Sequence, residues 1–167
     1  MFTVLARPPK AFSSTEIDDF VAFVLAGGEV SAKGLRKRVE NAECIAYLRR
    51  SECLVGVAGL KRPDKSYRTR VRTNSTISLS EAAFPFELGW VFILPSVRGK
   101  KQSLPLCQPI VSAAGSAGIF ATSRSTIQGM HVTLSKLGFR RAGAQWPSKQ
   151  NDDNLFLFVR PAFECQC

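Results

Sequence analysis

Glu87 stands at the entrance of an apolar run, Leu88-Gly89-Trp90-Val91-Phe92-Ile93-Leu94, that stops at Pro95. The chain then turns through Arg98-Gly99-Lys100-Lys101-Gln102-Ser103 into a candidate helix. A carboxylate beside a buried strand is a candidate general base. A turn whose backbone N–H groups open a helix is a phosphate-binding arrangement, and Arg98, Lys100 and Lys101 add full positive charge to it. The plain alternative is a charged surface turn. Its place directly after an apolar strand favours the anion site. A nucleotide P-loop is excluded, because no glycine sits five residues before a Gly-Lys-Ser/Thr.

The other reactive side chains are sparse. His131 is the only histidine. Its titration range suits acid–base work, although a single histidine beside an apolar helix face is more often structural. Tyr47 and Tyr67 are the only tyrosines, and spacing alone puts neither near a leaving group. Cys44, Cys53, Cys107, Cys165 and Cys167 are odd in number and form no Cys-x-x-Cys pair, which argues against a disulfide framework. The pair Cys165 and Cys167 would hold a metal only with ligands that the sequence does not supply, so no metal is expected.

The elements that must position these groups follow from periodicity. Residues 1–6 read as a first strand ended by Pro8-Pro9. Ser13 and Glu16 form a capping box ahead of a helix with Ile17, Phe20, Val21, Val24 and Leu25 on one face, stopped at Gly27-Gly28. Residues 31–41 read as a short basic helix with Leu35 and Val39 on one face. Residues 44–48 and 53–60 read as a hairpin around an Arg49-Arg50-Ser51-Glu52 turn. Residues 61–86 read as a long polar connection. The run from Glu87 to Leu94 reads as a central strand buried on both faces. Pro105 and Pro109 predict that the helix over 104–114 is short or kinked. A strand over 118–123 follows, and then a helix over 126–137 with Ile127, Met130, Leu134 and Leu137 inward and Gly138 closing it. Strands over 141–146 and 154–160 complete the chain.

Composition bounds the class. With 167 residues, 45% hydrophobic and 22% charged, one soluble domain spanning residues 1–167 is expected. No apolar run approaches the roughly 20 residues that span a bilayer, and residues 1–10 lack the pattern of a secretory leader. A cytoplasmic protein that does not engage membranes is the expectation. The formal net charge of +10 gathers in clusters at 33–38, 49–50, 61–72, 98–101 and 136–141. Such a surface attracts anionic cofactors, acidic proteins or nucleic acid.

The order of these elements resembles the GNAT superfamily of N-acetyltransferases. The stretch from Glu87 to Pro95 resembles that family's fourth strand. The turn from Arg98 to Ser103 resembles its pyrophosphate loop, and Leu134-Ser135-Lys136-Leu137-Gly138-Phe139 resembles the helix end before its sixth strand. The resemblance implies an α/β (α+β) fold: a mixed, mostly antiparallel central sheet of six to seven strands flanked by about four helices. It implies acetyl-CoA as co-substrate and no metal. The backbone of Phe92, Ile93 and Leu94 would take the pantetheine arm, and Arg98, Gly99, Lys100, Lys101, Gln102 and Ser103 the pyrophosphate. Glu87 falls where many members carry the base, and His131 is a second catalytic candidate. Lys101 stands where the family has glycine, and Ser103 where it has glycine or alanine. Leu134 replaces the family's frequent tyrosine acid, and Ile127 a frequent asparagine.

The implied reaction moves an acetyl group from acetyl-CoA directly to a primary amine. The acceptor stays open between an amine-bearing small molecule or protein and a nucleic acid such as an aminoacyl-tRNA, and a homodimer stays open. The competing reading is a GNAT-like module that binds CoA or nucleic acid without catalysis.

Overall fold

Alternating burial through Phe2–Arg7 makes this stretch strand β1, and it pairs antiparallel with β2 (Cys44–Arg50) from Phe2 opposite Arg50 to Arg7 opposite Ile45. These and the elements below come from a computed structural model that describes residues 1–164. Cys165 and Cys167 lie outside the described residues, and so does their reading as metal ligands. Helix α1 (Ser14–Ala26) starts at the expected capping box: Glu16 N–H donates to Ser13 Oγ at 3.2 Å, and Ser13 N–H donates to Glu16 Oε2 at 2.8 Å. Such a cap contributes about 1 kcal/mol. Ile17, Phe20 and Val24 form the buried stripe.

Several boundaries differ from the sequence expectation. The basic helix α2 covers only Leu35–Glu40, because Gly34 takes a left-handed backbone (φ 67°) and halts extension toward residue 31. Leu35 and Val39 are its buried face, as their spacing requires. Arg49 and Arg50 belong to β2 and not to the turn. The connection to β3 (Cys53–Lys61) is only Ser51-Glu52, with Ser51 at φ 52° and a register shift at Leu48/Arg49.

The largest correction lies in 61–86, which is not a continuous loop. It holds helix α3 (Lys65–Ser75), whose buried residues are Val71 and Ser75. Strand β4 (Phe86–Ile93) follows, and after a 3-10 turn over Pro95–Val97 comes helix α4 (Ser103–Ala113). Helix α4 is not short: it has 11 residues despite its prolines. Pro105 sits in its first turn, where amide hydrogens have no intrahelical acceptor, and Pro109 forfeits one interior bond. Strand β5 (Ile119–Arg124), helix α5 (Gln128–Lys136), β6 (Arg140–Pro147) and β7 (Asn154–Arg160) complete the order. Seven strands join in the order β1-β2-β3-β4-β5-β7-β6, mostly antiparallel, with β4 and β5 parallel. Among the described residues five α-helices accompany them, in keeping with the expected fold.

Contacts gather the chain into two compact units. The first comprises Met1–Lys61 with Leu88–Ala113. Its core joins α1, α2 and β2–β4 through Phe20, Leu35, Ile45, Tyr47, Val57 and Trp90. Phe20 meets Tyr47 and Trp90 edge-on at 5.7 and 6.0 Å, geometry worth about 0.5–1.5 kcal/mol per pair beyond burial. Trp90 takes a left-handed backbone (φ 53°) inside β4, which breaks the strand's regular pleat. Its ring presses on Gly59, where a Cβ would stand 2.6 Å from Trp90 Cε3. Leu106, Cys107 and Ile110 of α4 are wholly buried.

The second unit comprises Arg62–Glu87 and the chain from Ala114 onward. Its core is Val71 and Leu79 with Phe120, Trp146, Leu157 and Val159. Gly143 is left-handed (φ 69°) where the β6–β7 register shifts, and a Cβ there would collide with the Ser75 carbonyl at the end of α3.

A candidate acid–base site on α3, β4 and β5

Helix α3 is built from a weak signal. Asp64, following Pro63, is its N-cap: Oδ1 accepts the Tyr67 N–H at 2.8 Å and the Ser66 hydroxyl at 2.8 Å. That cap fixes the first turn and puts Tyr67, Val71 and Ser75 on one face at successive helical turns. In the parallel β4–β5 pairing Glu87 lies opposite Phe120, so the two side chains share a face. Thr122, two residues along β5, shares it too. The Tyr67 hydroxyl donates to Glu87 Oε1 at 2.9 Å, and the Thr122 side chain hydrogen-bonds the same hydroxyl. Glu87 is 2% exposed.

Burial pushes the Tyr67 phenol well above its ordinary range, and the Glu87 charge pushes the same way. The phenol therefore stays protonated, which is what its donor role requires. Arg68 braces the arrangement from the next position. Its guanidinium donates to the carbonyls of Leu79 and Phe84 at 2.9 and 2.6 Å and lies 5.7 Å over the Phe120 ring. Burial lowers the Arg68 pKa, opposed by the charges of Glu81 and Glu87.

The outer side of α3 is basic. Arg68, Thr69, Arg72, Ser78, Leu79 and Ser80 line a cavity of about 140 Å³. Among the described residues Arg68, Arg70 and Arg72 form no ion pair, whereas Arg36 of α2 meets both Asp18 and Glu40.

The turn after β4 belongs to the first unit. Arg98 Nε donates to the Ile93 carbonyl at 3.0 Å, and its guanidinium lies 5.7 Å over the Phe92 ring. Gly99 and Lys101 are both left-handed (φ 79° and 57°), so Lys101 adopts the conformation for which glycine is favoured. Lys100 and Lys101 are exposed. Gln102 Nε2 donates to the Lys100 carbonyl at 2.9 Å, and Ser103 opens α4. This turn supplies three cations and the positive end of an 11-residue helix, a donor set that suits a diphosphate. Phe92 also packs on Phe23 of α1 at 6.1 Å.

The remaining candidates have structural surroundings. His131 Nε2 lies 2.9 Å from the Arg124 carbonyl, and its ring packs on Phe158 and Phe156 at 5.1 and 5.6 Å. Ile127 points outward, contrary to the helical-face expectation, because it is the N-cap residue of α5 and 37% exposed. Leu134 is fully buried, and Met130 and Leu137 are half-buried. Thr126 is held by Asp153, whose carboxylate also accepts from Ser125. Tyr47 donates to the Glu16 carbonyl at 2.8 Å, an anchoring role. Sequence reasoning missed Tyr67 and Thr122. The signal that could have found Tyr67 is the Pro63-Asp64 helix start three residues before it.

This architecture is the fold of the GNAT acetyltransferases. Over 99% of this chain and 97% of the other, it matches the ribosomal-protein-S18-alanine N-acetyltransferase of Escherichia coli (TM-score 0.66, 11% identity). It matches the Salmonella typhimurium protein yncA, solved with its cofactor acetyl-CoA, over 100% and 97% (TM-score 0.65, 14% identity). A GNAT-family acetyltransferase of Bacillus cereus matches over 98% and 99% (TM-score 0.64, 12% identity). By sequence, no family model and no curated protein matches the chain. Among the described residues no cluster of three or more His, Cys, Asp or Glu could hold a metal, and no helix is long and apolar enough to cross a membrane.

Proposed function

We propose that the chain is a divergent GNAT N-acetyltransferase that moves an acetyl group from acetyl-CoA to a primary amine by direct attack. The observation that carries this reading is Glu87, a buried strand carboxylate held by a protonated tyrosine, on a chain with this fold. The acceptor ammonium gives a proton to Glu87, directly or through one water. The neutral nitrogen then bonds the acetyl carbon, the C–S bond breaks with sulfur leaving as thiolate, and the nitrogen gives up its second proton to that thiolate or to water. The backbone of Phe92, Ile93 and Leu94 would pair with the pantetheine arm, and the turn from Arg98 to Ser103 would hold the diphosphate. His131 is assigned no step, because its partners are a strand carbonyl and two phenylalanine rings.

Arg70 and Arg72, exposed on α3 without an ion pair among the described residues, favour an acceptor that carries negative charge, such as the phosphates of nucleic acid.

Calorimetric titration with acetyl-CoA tests the cofactor, with an expected dissociation constant of roughly 1–100 µM, ordinary for an enzyme substrate. Absence of binding in that range sinks the acyltransferase reading. Binding without CoA release across amine, peptide and tRNA panels would leave a CoA-binding module. For turnover, Glu87→Gln should lower the rate at least 100-fold, at the lower end of what general-base catalysis supplies. An unchanged rate would remove Glu87 from its role.

A further inference from the structure

We propose that Tyr67 is the positioning residue for Glu87: its hydroxyl holds Oε1 while Thr122 holds the hydroxyl from the other side. The inference rests on the reading of Glu87 as the base.

A phenol has one proton to give and an oxygen that accepts. The Tyr67 hydroxyl gives its one proton to Glu87 Oε1 at 2.9 Å, so towards Thr122 the phenol oxygen can only accept. The chain of donors runs in one direction, from Thr122 on β5 through Tyr67 on α3 to Glu87 on β4. Each member is held independently. Thr122 lies opposite Leu157 in the β5–β7 ladder, Tyr67 is in the turn capped by Asp64, and Glu87 is in register with Phe120.

Packing alone does not account for this hydroxyl. A phenylalanine would fill nearly the same space, and a buried hydroxyl is unfavourable unless bonded. Tyr47 shows the structural alternative, since its hydroxyl ends on a backbone carbonyl. Tyr67 ends instead on the one fully buried carboxylate in the described chain. The neighbouring charges are Arg70, 5.3 Å over the Tyr67 ring, and Arg68, which feels both Glu87 and Glu81. With Tyr67 donating, Glu87 Oε1 is held in one orientation, which fixes where the carboxylate can take a proton from the acceptor ammonium.

Infrared difference spectroscopy on the full chain tests this without an acceptor. The protonated Glu87 carboxyl band is identified by its loss in Glu87→Gln. In Tyr67→Phe that band, once populated by acid, should lie at higher wavenumber than in the unmodified protein, because the Glu87 C=O has lost the phenol hydrogen bond. Tyr47→Phe should leave the band in place. Thr122→Val should move it the same way by less, and it replaces Tyr67→Phe if that variant does not fold. An unmoved band in the folded variant overturns the proposal. The two readings fail separately. Without acetyl-CoA binding, acyl transfer falls while the band shift stands. An unmoved band removes Tyr67 while acetyl-CoA binding stands.

Discussion

Arg98 reaches back five residues to place its Nε 3.0 Å from the carbonyl oxygen of Ile93. One side chain thus serves both the end of β4 and the basic turn. A carbonyl has two lone pairs, so Ile93 can accept this bond and still face a second donor. Arg98→Ala removes the brace and one of three cations. The dissociation constant of acetyl-CoA should rise about tenfold, or about 1.4 kcal/mol. Arg98→Lys should restore part of the loss, because charge returns without the planar fork. Calorimetry reads both, and equal affinity for all three proteins would remove Arg98 from cofactor binding.

Alkali should destabilise the protein through its buried acids. Burial pushes the Cys107 thiol up to about 12 and the Cys44 thiol up to about 11, and it holds the phenols of Tyr47 and Tyr67 well above their usual range. In an unfolded chain thiols ionise near ~8.5 and phenols near ~10. Each folded value is raised, so this stability is fully present below about pH 8.5 and is lost as pH climbs toward the folded values. Urea midpoints should fall steadily between about pH 9 and 11, while tyrosinate absorbance stays absent until unfolding. Tyrosinate appearing in the folded protein near its ordinary pKa would contradict the burial assigned to both rings.

Acid should act through Asp153. Hydrogen bonds from Ser125 and Thr126 hold its carboxyl down at about 2. A depressed folded value gives stability that is present above the unfolded pKa near ~3.9 and is lost as pH falls toward the folded one. Asp153→Asn should melt lower than the unmodified protein at neutral pH, and the gap should narrow between about pH 4 and 2. Parallel melting curves across that window would show that the carboxylate carries no such role.

How much of this was legible depended on how local the cause was. The capping box at Ser13 and Glu16 announces α1, because the serine and the glutamate answer each other three residues apart. Strand β4 and its basic turn were likewise readable from a run of apolar residues ended by proline. Helix α3 was not. Its only buried residues are Val71 and Ser75, and its many arginines hide the period. The bond from Tyr67 to Glu87 spans 20 positions, and no spacing rule anticipates it. The left-handed backbone at Trp90 is equally silent in sequence.

Trp90 and Gly59 also make a genetic statement. A methyl group at position 59 would drive into the indole ring, and overpacking of this kind costs about 1–3 kcal/mol. Gly59→Ala should therefore weaken the fold, and a smaller ring at the other position, Trp90→Phe, should act as its suppressor. Melting temperatures of the two single variants and the double variant would show the rescue as non-additivity. Across related chains these two positions are expected to change together or not at all, so the residue allowed at one is dictated by the size of the other.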